Sequence, residues 1–447
     1  MECQFEILEE IIDEDLDFTI ESLGERKIEN PLKKEPLCYV DDNARVALKI
    51  SEAYLKKCLE EQKLPPTAEL AGPRPRIYFD PAKTRAAIVT CGGLCPGIND
   101  VIRSIVLTLY FSYGVKHIFG IKYGLQGFIP KYGHDVMYLT PEVVSNIHEL
   151  GGTILGTSRG HQPIDEIVDA LERLNVQVLF MIGGDGTFRA ATLIKEEISR
   201  RHLKIAVVAV PKTIDNDIFL TSKTFGFDTA VEMACQAIRC AHTEAIAVPN
   251  GIGLVKVMGR YAGFIAAAAT LARKEVNFCL IPEADFDIEP PNGLFPVLER
   301  RLESRKHAVI VVAEGAGQKY VRPDPPEYDA SGNLKLGDIG KFLKDKIKEY
   351  FTKKGIEIYI RYIDPSYIIR SVPAIVDDRI YCGFLGQYAV HAAMAGKTGL
   401  MVSYLNDRYI HIPLTAAVKK RKQVDLKSRF WQSVIESTGQ PPLKNKA

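Results

Sequence analysis

The sequence predicts an α/β protein of two doubly wound, three-layer α/β domains behind an N-terminal extension. Three observations carry that prediction. A chain of 447 residues exceeds what one hydrophobic core ordinarily organises, so two domains are expected. From residue 86 onward, strand-length stretches are apolar without interruption: AAIVTC, VKHIFGI, VQVLFMI and KIAVVAV, then GIGLVKVMG, NFCLIPE and HAVIVVAEG. A strand buried on both faces reads this way, which points to a parallel sheet rather than a half-exposed antiparallel one. Helix-like segments lie between several of these runs, the rhythm of an open sheet covered on both sides.

The elements follow in order. Residues 1–84 hold acidic clusters, the amphipathic segment VALKISEAYLKKCLEEQ, expected to be helical, and the linker-like LPPTAELAGPRPR. We read them as an extension wrapping the surface or a neighbouring subunit, not as a catalytic domain. The first domain is placed at 85–226 plus 371–415. The second is placed at 227–370 plus 416–447, where the polar loop VRPDPPEYDASGNLKLGD interrupts the rhythm. GFLGQYAVHAAMAGK reads as a helix and GLMVSYLNDRYIHIPL as a hairpin. The KKRK at 419–422 reads as a solvated basic face rather than a nuclear signal, and KKRKQVDLKSRFWQSVIES as a tail packing back on the second domain.

Composition excludes several functions. A formal net charge of +1 steers the chain toward neither nucleic acid nor a membrane. The longest apolar stretches, such as GFIAAAATLA, are too short to span a bilayer. The acidic start, MECQFEILEEIIDEDLDF, suits neither a signal nor a transit peptide. Nine cysteines without metal spacing imply reduced thiols in a reducing, cytoplasmic compartment.

In open α/β sheets, ligands bind beyond the carboxyl ends of the strands, so the chemistry is sought there. AAIVTC is followed by GGLCPGIND, where Gly92 and Gly93 let backbone amides approach an anion ahead of a helix N-terminus. A glycine-rich turn of this kind also serves packing alone. VQVLFMI is followed by GGDGT, where Asp185 sits among Gly183, Gly184 and Gly186 ahead of Thr187. A carboxylate in an anion-binding loop repels a bare phosphate and suits one carrying magnesium, although an Asx turn opening a helix has the same sequence. KIAVVAV is followed by PKTIDND, which brings Lys212, Thr213, Asp215 and Asp217 into seven residues. Three strand ends loaded with Gly, Asp and Thr suggest a magnesium-nucleotide site beside a carboxylate base, hence phosphoryl transfer. An anionic acceptor needs guanidinium groups, and Arg159, Arg260, Arg361 and Arg370 are candidates. Arg260, between glycines directly after a strand, stands out. Glu314 ends another strand and is placed to hold sugar hydroxyls.

GGLCPGIND, LGTSRG, GGDGT, PKTIDND, MGRYAG and AEGAGQ resemble, in order and approximate spacing, the motifs of the phosphofructokinase family. The resemblance covers about residues 74–430. RIYFDP and RYIDPSYIIR look most like the plant-type ATP-dependent 6-phosphofructokinases. It implies the phosphofructokinase fold, ATP and fructose 6-phosphate as substrates, Mg2+ as cofactor, and allosteric control. It further implies a homo-oligomer, tetramer or dimer, or a mixture with related subunits. Asp215 matches the base that takes the proton of the sugar 1-hydroxyl, and Asp185 matches the residue holding magnesium on the nucleotide. Gly92 and Gly186 match glycines against which ATP lies, with Gly93, Gly184 and Thr187 completing those loops. Arg159 matches an arginine on the nucleotide phosphates in the transition state. Thr213, Asp217, Met258, Gly259, Arg260 and Glu314 match the sugar-phosphate pocket. Arg361, Tyr367 and Arg370 match the motif for the 6-phosphate, with Arg361 reaching across a subunit interface.

Two departures matter. A second cross-subunit arginine is expected nine residues before Arg260, where the chain has Gly251 beside Asn250, so Asn250 is a candidate substitute. Lys212 resembles the pyrophosphate-dependent members, but those carry an aspartate where this chain has Gly186. An added carboxylate excludes ATP by charge and bulk, whereas a flexible lysine tolerates either donor. ATP is therefore expected, with pyrophosphate the alternative. A non-catalytic regulatory subunit is disfavoured because Asp185 and Asp217's neighbour Asp215 are both present. NAD and lipid kinases share GGDGT but have no use for PKTIDND.

Overall fold

Three parallel strands, Arg85–Thr90, Val178–Gly183 and Ala206–Pro211, lie side by side in register, so their carboxyl ends open on one edge. Their residues are almost wholly buried, as expected where helices cover both faces of a sheet. The computed structural model describes residues 16–32, 38–328 and 334–445. The acidic start of the chain and part of the polar loop at 321–338 lie outside the described residues.

These strands form the centre of a nine-stranded sheet. Its order is Arg45–Ala47, Thr67–Leu70, Arg408–Pro413, Leu400–Leu405, Ala206–Pro211, Val178–Gly183, Arg85–Thr90, His117–Ile121 and Met137–Tyr138. Ile88, Phe180 and Val208 face the helices Ile98–Leu107 and Val376–Met394. Ala87, Leu179 and Met181 face the helix Asp185–Arg200 through Phe188, Ala191 and Ile194. The expected hairpin is present: Leu400–Leu405 pairs with Arg408–Pro413. Its two turn residues, Asn406 and Asp407, have φ of 50° and 57°, the left-handed pair a tight hairpin favours.

A second sheet holds four parallel strands in the order Phe278–Leu280, His307–Ala313, Gly251–Val257 and Tyr359–Ile363. Val255, Val257, Val309 and Val311 face the helix Phe227–Ile246. Ile252, Leu254, Ile310 and Val312 face Leu294–Arg305 and Ile339–Lys353. The helix Phe227–Ile246 shares one core with the first sheet's helices. Its N-terminus is capped by Asp378 of Val376–Met394, which accepts from Gly226 N at 2.9 Å, Thr229 N at 2.8 Å and Thr229 Oγ1 at 2.6 Å. Three donors at a helix N-terminus, where the dipole favours negative charge, stabilise a buried carboxylate. The tail helix Arg429–Thr438 packs against Phe264–Ala272.

The N-terminal segment differs from expectation. It does more than wrap the surface, since Arg45–Ala47 and Thr67–Leu70 extend the main sheet. The helix is confined to Glu52–Glu60, started by the Ser51 side chain accepting from Tyr54 N. A buried charge cluster secures the segment. Glu69 accepts from Arg74 Nη2 at 2.8 Å, Lys397 Nζ at 2.8 Å and His411 Nδ1 at 3.0 Å. Burial pushes the Glu69 carboxyl up, but the hydrogen bonds from His411 and Lys397 outweigh it and hold the pKa at about 2. Burial draws His411 down while its hydrogen bond to Glu69 acts the other way, and Arg74 and Lys397 also pair with Glu69. A carboxyl lowered from 4.5 to about 2 contributes about 3 kcal/mol above pH 5, lost as the pH falls through 2.

Candidate functional site

Each of the three central strands ends in a loop shaped by its sequence. Gly92 follows the first with φ of +83°, a conformation that favours glycine, and a Cβ there would lie 3.7 Å from Lys212 Nζ. Gly184 caps the helix Asp185–Arg200, so Asp185 stands at its first turn. A Cβ added at Gly183 would fall 2.1 Å from Thr187 Oγ1, so glycine there lets the helix close on the strand. A Cβ at Gly186 would meet nothing within 4 Å. The third loop is pinned internally. Thr213 Oγ1 accepts from Asp215 N at 3.1 Å, and Thr224 Oγ1 donates to the Thr213 carbonyl at 2.7 Å. Asn216, at φ of 53°, makes the turn and accepts from Thr224 N at 3.1 Å.

These loops and the carboxyl edge of the second sheet enclose a cavity of about 860 Å3. Gly92, Gly93, Arg159, Gly184, Asp185, Gly186 and Thr187 line one part, with Lys212, Thr213, Asp215 and Asp217 at the junction. Met258, Arg260, Glu314, Tyr367 and Arg370 line the rest. The Tyr367 ring lies under the Arg370 guanidinium, 5.0 Å from centroid to Cζ. Two expectations are corrected, while Arg361, expected to reach across a subunit interface, lies outside this chain's cavity and pairs with Glu244 at 3.1 Å. Gly259 does not line it either; at φ of +129° it makes the turn that presents Arg260, and a Cβ there would sit 2.6 Å from the Ala262 carbonyl. Asn250 does not replace the missing arginine, because its side chain donates to the Glu357 carbonyl at 3.1 Å. An arginine could not occupy 251, where a Cβ would lie 2.1 Å from the Ala245 carbonyl beneath the helix Phe227–Ile246.

Burial pushes the Asp215 carboxyl well above the usual carboxylate range, and the nearby charges of Asp217 and Glu314 push it the same way. Its Oδ1 is buried with no hydrogen-bond partner among the described residues. Such an atom costs about 1–3 kcal/mol unless something in the functional complex pairs with it. Burial likewise raises Glu314, against which Arg260 and Lys256 act. Lys212 is drawn down by burial, and its Nζ donates to the Gly93 carbonyl at 2.7 Å. The ammonium is thus folded onto the first glycine loop. Cys91 and Cys95 lie beside it; burial raises the Cys91 thiol to about 12 and the Cys95 thiol further. Neither is a thiolate at pH 7. The eight described cysteines are all free.

Sequence reasoning missed cavity residues. Lys256 lines it and pairs with Asp364 at 2.8 Å, an inward strand position hidden within an apolar run. The larger miss is the end of the KKRK run, where Lys419 and Lys420 are exposed as a solvated face requires but the last two residues are not simply solvated. Arg421 lines the cavity and Lys422 is buried. Their cue is absent locally because the contacts reach back some two hundred residues.

Among the described residues, no three His, Cys, Asp or Glu side chains form a metal cage. Asp185 offers a single carboxylate to the cavity, which fits magnesium, an ion usually held by one or two carboxylates together with substrate phosphates. No described helix is long and apolar enough to cross a membrane.

Residues 85–393 match the family described as Phosphofructokinase. The chain is 52% identical to an ATP-dependent 6-phosphofructokinase of Borreliella burgdorferi, over 97% of this chain and 99% of that one. It is 46% identical to an ATP-dependent 6-phosphofructokinase of Amycolatopsis methanolica, over 95% of each. It is 49% identical to ATP-dependent 6-phosphofructokinase 7 of Arabidopsis thaliana, over 83% of this chain and 76% of that one. Among solved structures, a pyrophosphate-dependent phosphofructokinase from Marinobacter aquaeolei superposes with a TM-score of 0.64 at 18% identity, covering 81% of this chain and 94% of that one. At that identity the likeness is one of fold.

Proposed function

The chain belongs to the phosphofructokinase family, and from that premise we propose that it transfers the terminal phosphoryl group of Mg-ATP to the 1-hydroxyl of fructose 6-phosphate. The observation that carries the assignment of roles is the unpartnered, buried Asp215 Oδ1 at the junction of the two halves of the cavity. It is placed to accept the hydroxyl proton as the sugar O1–phosphorus bond forms and the bond to the leaving ADP breaks. Asp185, together with the nucleotide phosphates, would hold magnesium, which would supply charge neutralisation there. Arg159 faces those phosphates from its own loop. Thr213 and Asp217 orient the sugar around Asp215, and Met258, Arg260 and Glu314 hold it from the second sheet. Arg370, braced by Tyr367, takes the 6-phosphate. Transfer of this kind depends mostly on positioning and charge. The cationic groups that approach in the ternary complex favour ionised Asp215, so the base becomes competent when substrates are bound.

The ATP reading rests on Gly186, whose open side admits a nucleotide α-phosphate. With fructose 6-phosphate as acceptor, the purified protein is expected to turn over with ATP and to show at most a percent of that rate with pyrophosphate. Activity with pyrophosphate alone would reverse the assignment.

We further propose an oligomer, dimer or tetramer, working in the cytoplasm. Val376, Ile380 and Phe384 form an exposed apolar stripe at helical spacing, continued by Ile368 and by Tyr367, which is 74% exposed although it lines the cavity. Outward-facing Arg361 then becomes available to a neighbouring site. Light scattering is expected to give a mass at least twice the 49.8 kDa of one chain; a fully active monomer would sink this reading.

A further inference from the structure

Arg421 and Lys422, which end the basic run, dock on the loop that carries Asp215. Lys422 Nζ donates to Asn216 Oδ1 at 2.9 Å, the Thr221 carbonyl at 2.9 Å and the Ser222 carbonyl at 3.1 Å. Its backbone N–H donates to the Asp217 carbonyl at 2.9 Å, and Arg421 bridges Ile218 in antiparallel fashion. On the other flank, Gln423 Nε2 donates to the Tyr261 carbonyl at 2.9 Å and Val424 N to Glu283 Oε1 at 2.7 Å. A buried ammonium is tolerated only with its hydrogen bonds met, as here. The result is that residue 421 is held from both sides.

The Arg421 guanidinium lies 4.0 Å from the Tyr261 ring centroid, with one contact of 3.3 Å from Nη2 to Asp185 Oδ2. Asp217 acts on it electrostatically. A strong guanidinium–carboxylate pair is shorter, near 2.7–2.9 Å, and commonly bidentate. The Asp185 contact is therefore loose, and the guanidinium lies over the Tyr261 ring. A guanidinium with a held backbone, an aromatic ring beneath it and a loose carboxylate partner, beside the loop that holds Asp185, is arranged to receive an oxyanion.

Resting on the ATP-dependent reading above, we propose that Arg421 is a donor-binding residue whose guanidinium exchanges Asp185 for the terminal phosphate oxygens of the bound nucleotide, with Lys422 as the positioning residue that fixes it. The C-terminal segment is then part of the active site, clipped to the very loop that carries the base.

The test uses the full chain with Arg421→Ala, Arg421→Lys and Lys422→Met. Calorimetry follows binding of the magnesium complex of a non-hydrolysable β,γ-imido ATP analogue, Mg-ADP, and fructose 6-phosphate alone. A charge-assisted hydrogen bond predicts about a tenfold or greater loss of analogue affinity in Arg421→Ala. Mg-ADP affinity should fall less, and fructose 6-phosphate affinity should stay within twofold. Arg421→Lys should recover part of the loss, and Lys422→Met should reproduce it in weaker form. Unchanged or tighter analogue binding in Arg421→Ala overturns the proposal, as does an equal loss for all three ligands. If the parent protein transfers phosphate from ATP and Arg421→Ala matches it, the Arg421 assignment alone falls. If the parent shows no ATP-dependent activity, the donor reading beneath it falls.

Discussion

Asp215→Asn is expected to lower kcat roughly a thousandfold or more while leaving fructose 6-phosphate affinity within a few-fold of the parent and making the protein more stable. The loss of turnover follows from removing the proton acceptor, a contribution of about 10²–10⁴ in other enzymes, and from the absence of another unpaired buried carboxylate oxygen in the cavity among the described residues. The gain in stability follows from the same burial. In the unfolded chain this carboxyl ionises near 3.8; in the folded protein burial, Asp217 and Glu314 raise it well above that. The stability it contributes is complete below the unfolded value and is lost as the pH rises through the folded one. An asparagine cannot ionise. The variant should therefore exceed the parent by about 2 kcal/mol at pH 8, a rise of roughly 2–4 °C in Tm, and by less at pH 5. In the parent, the acid limb of kcat/KM should lie well above the ordinary aspartate range, and the limb of kcat lower, because bound substrates bring cations to Asp215. A calorimetric melt showing no extra stability at pH 8, or a tenfold loss of sugar affinity, would remove Asp215 from the role of strained base.

How far such a site can be read from sequence depends on the range of the contacts. The central strands were legible because VQVLFMI and KIAVVAV are buried on both faces, so their patterning is complete within each run. The glycine and aspartate loops were legible because they follow those runs directly, and register places them together. The strands Arg45–Ala47 and Thr67–Leu70 were not legible. They are three and four residues long, one inside an amphipathic segment and the other in a proline-bounded stretch, and only pairing at the sheet edge defines them. Lys422 was misread for a stronger reason. A basic run is usually solvated, and nothing near residue 422 reveals that Asn216, Thr221 and Ser222 supply acceptors for its ammonium.

Gly186→Asp is expected to reduce kcat/KM for ATP by a factor of about 10²–10³, without destabilising the fold. The position separates function from folding unusually well. It lies in the first turn of the helix Asp185–Arg200, where a carboxylate interacts favourably with the helix dipole. A Cβ there meets no atom within 4 Å, and the backbone is not in a conformation reserved for glycine. The new side chain must therefore project into the cavity, next to Asp185, where it opposes the nucleotide by bulk and by charge. Two like charges brought within about 4–5 Å in a partly buried site cost several kcal/mol at an effective dielectric near 20, which matches the predicted loss. Gly186→Ala separates the two causes. If bulk dominates, alanine should lose nearly as much as aspartate; if charge dominates, it should retain most ATP activity. Lys212 remains on the Gly93 carbonyl in both variants, an ammonium within the same cavity that a compact, highly charged donor can reach without an adenosine. The ratio of ATP to pyrophosphate kcat/KM is therefore expected to fall at least a hundredfold in Gly186→Asp. Retention of ATP activity within threefold, with a normal melting temperature, would show that residue 186 does not select the donor and would return the question to Lys212.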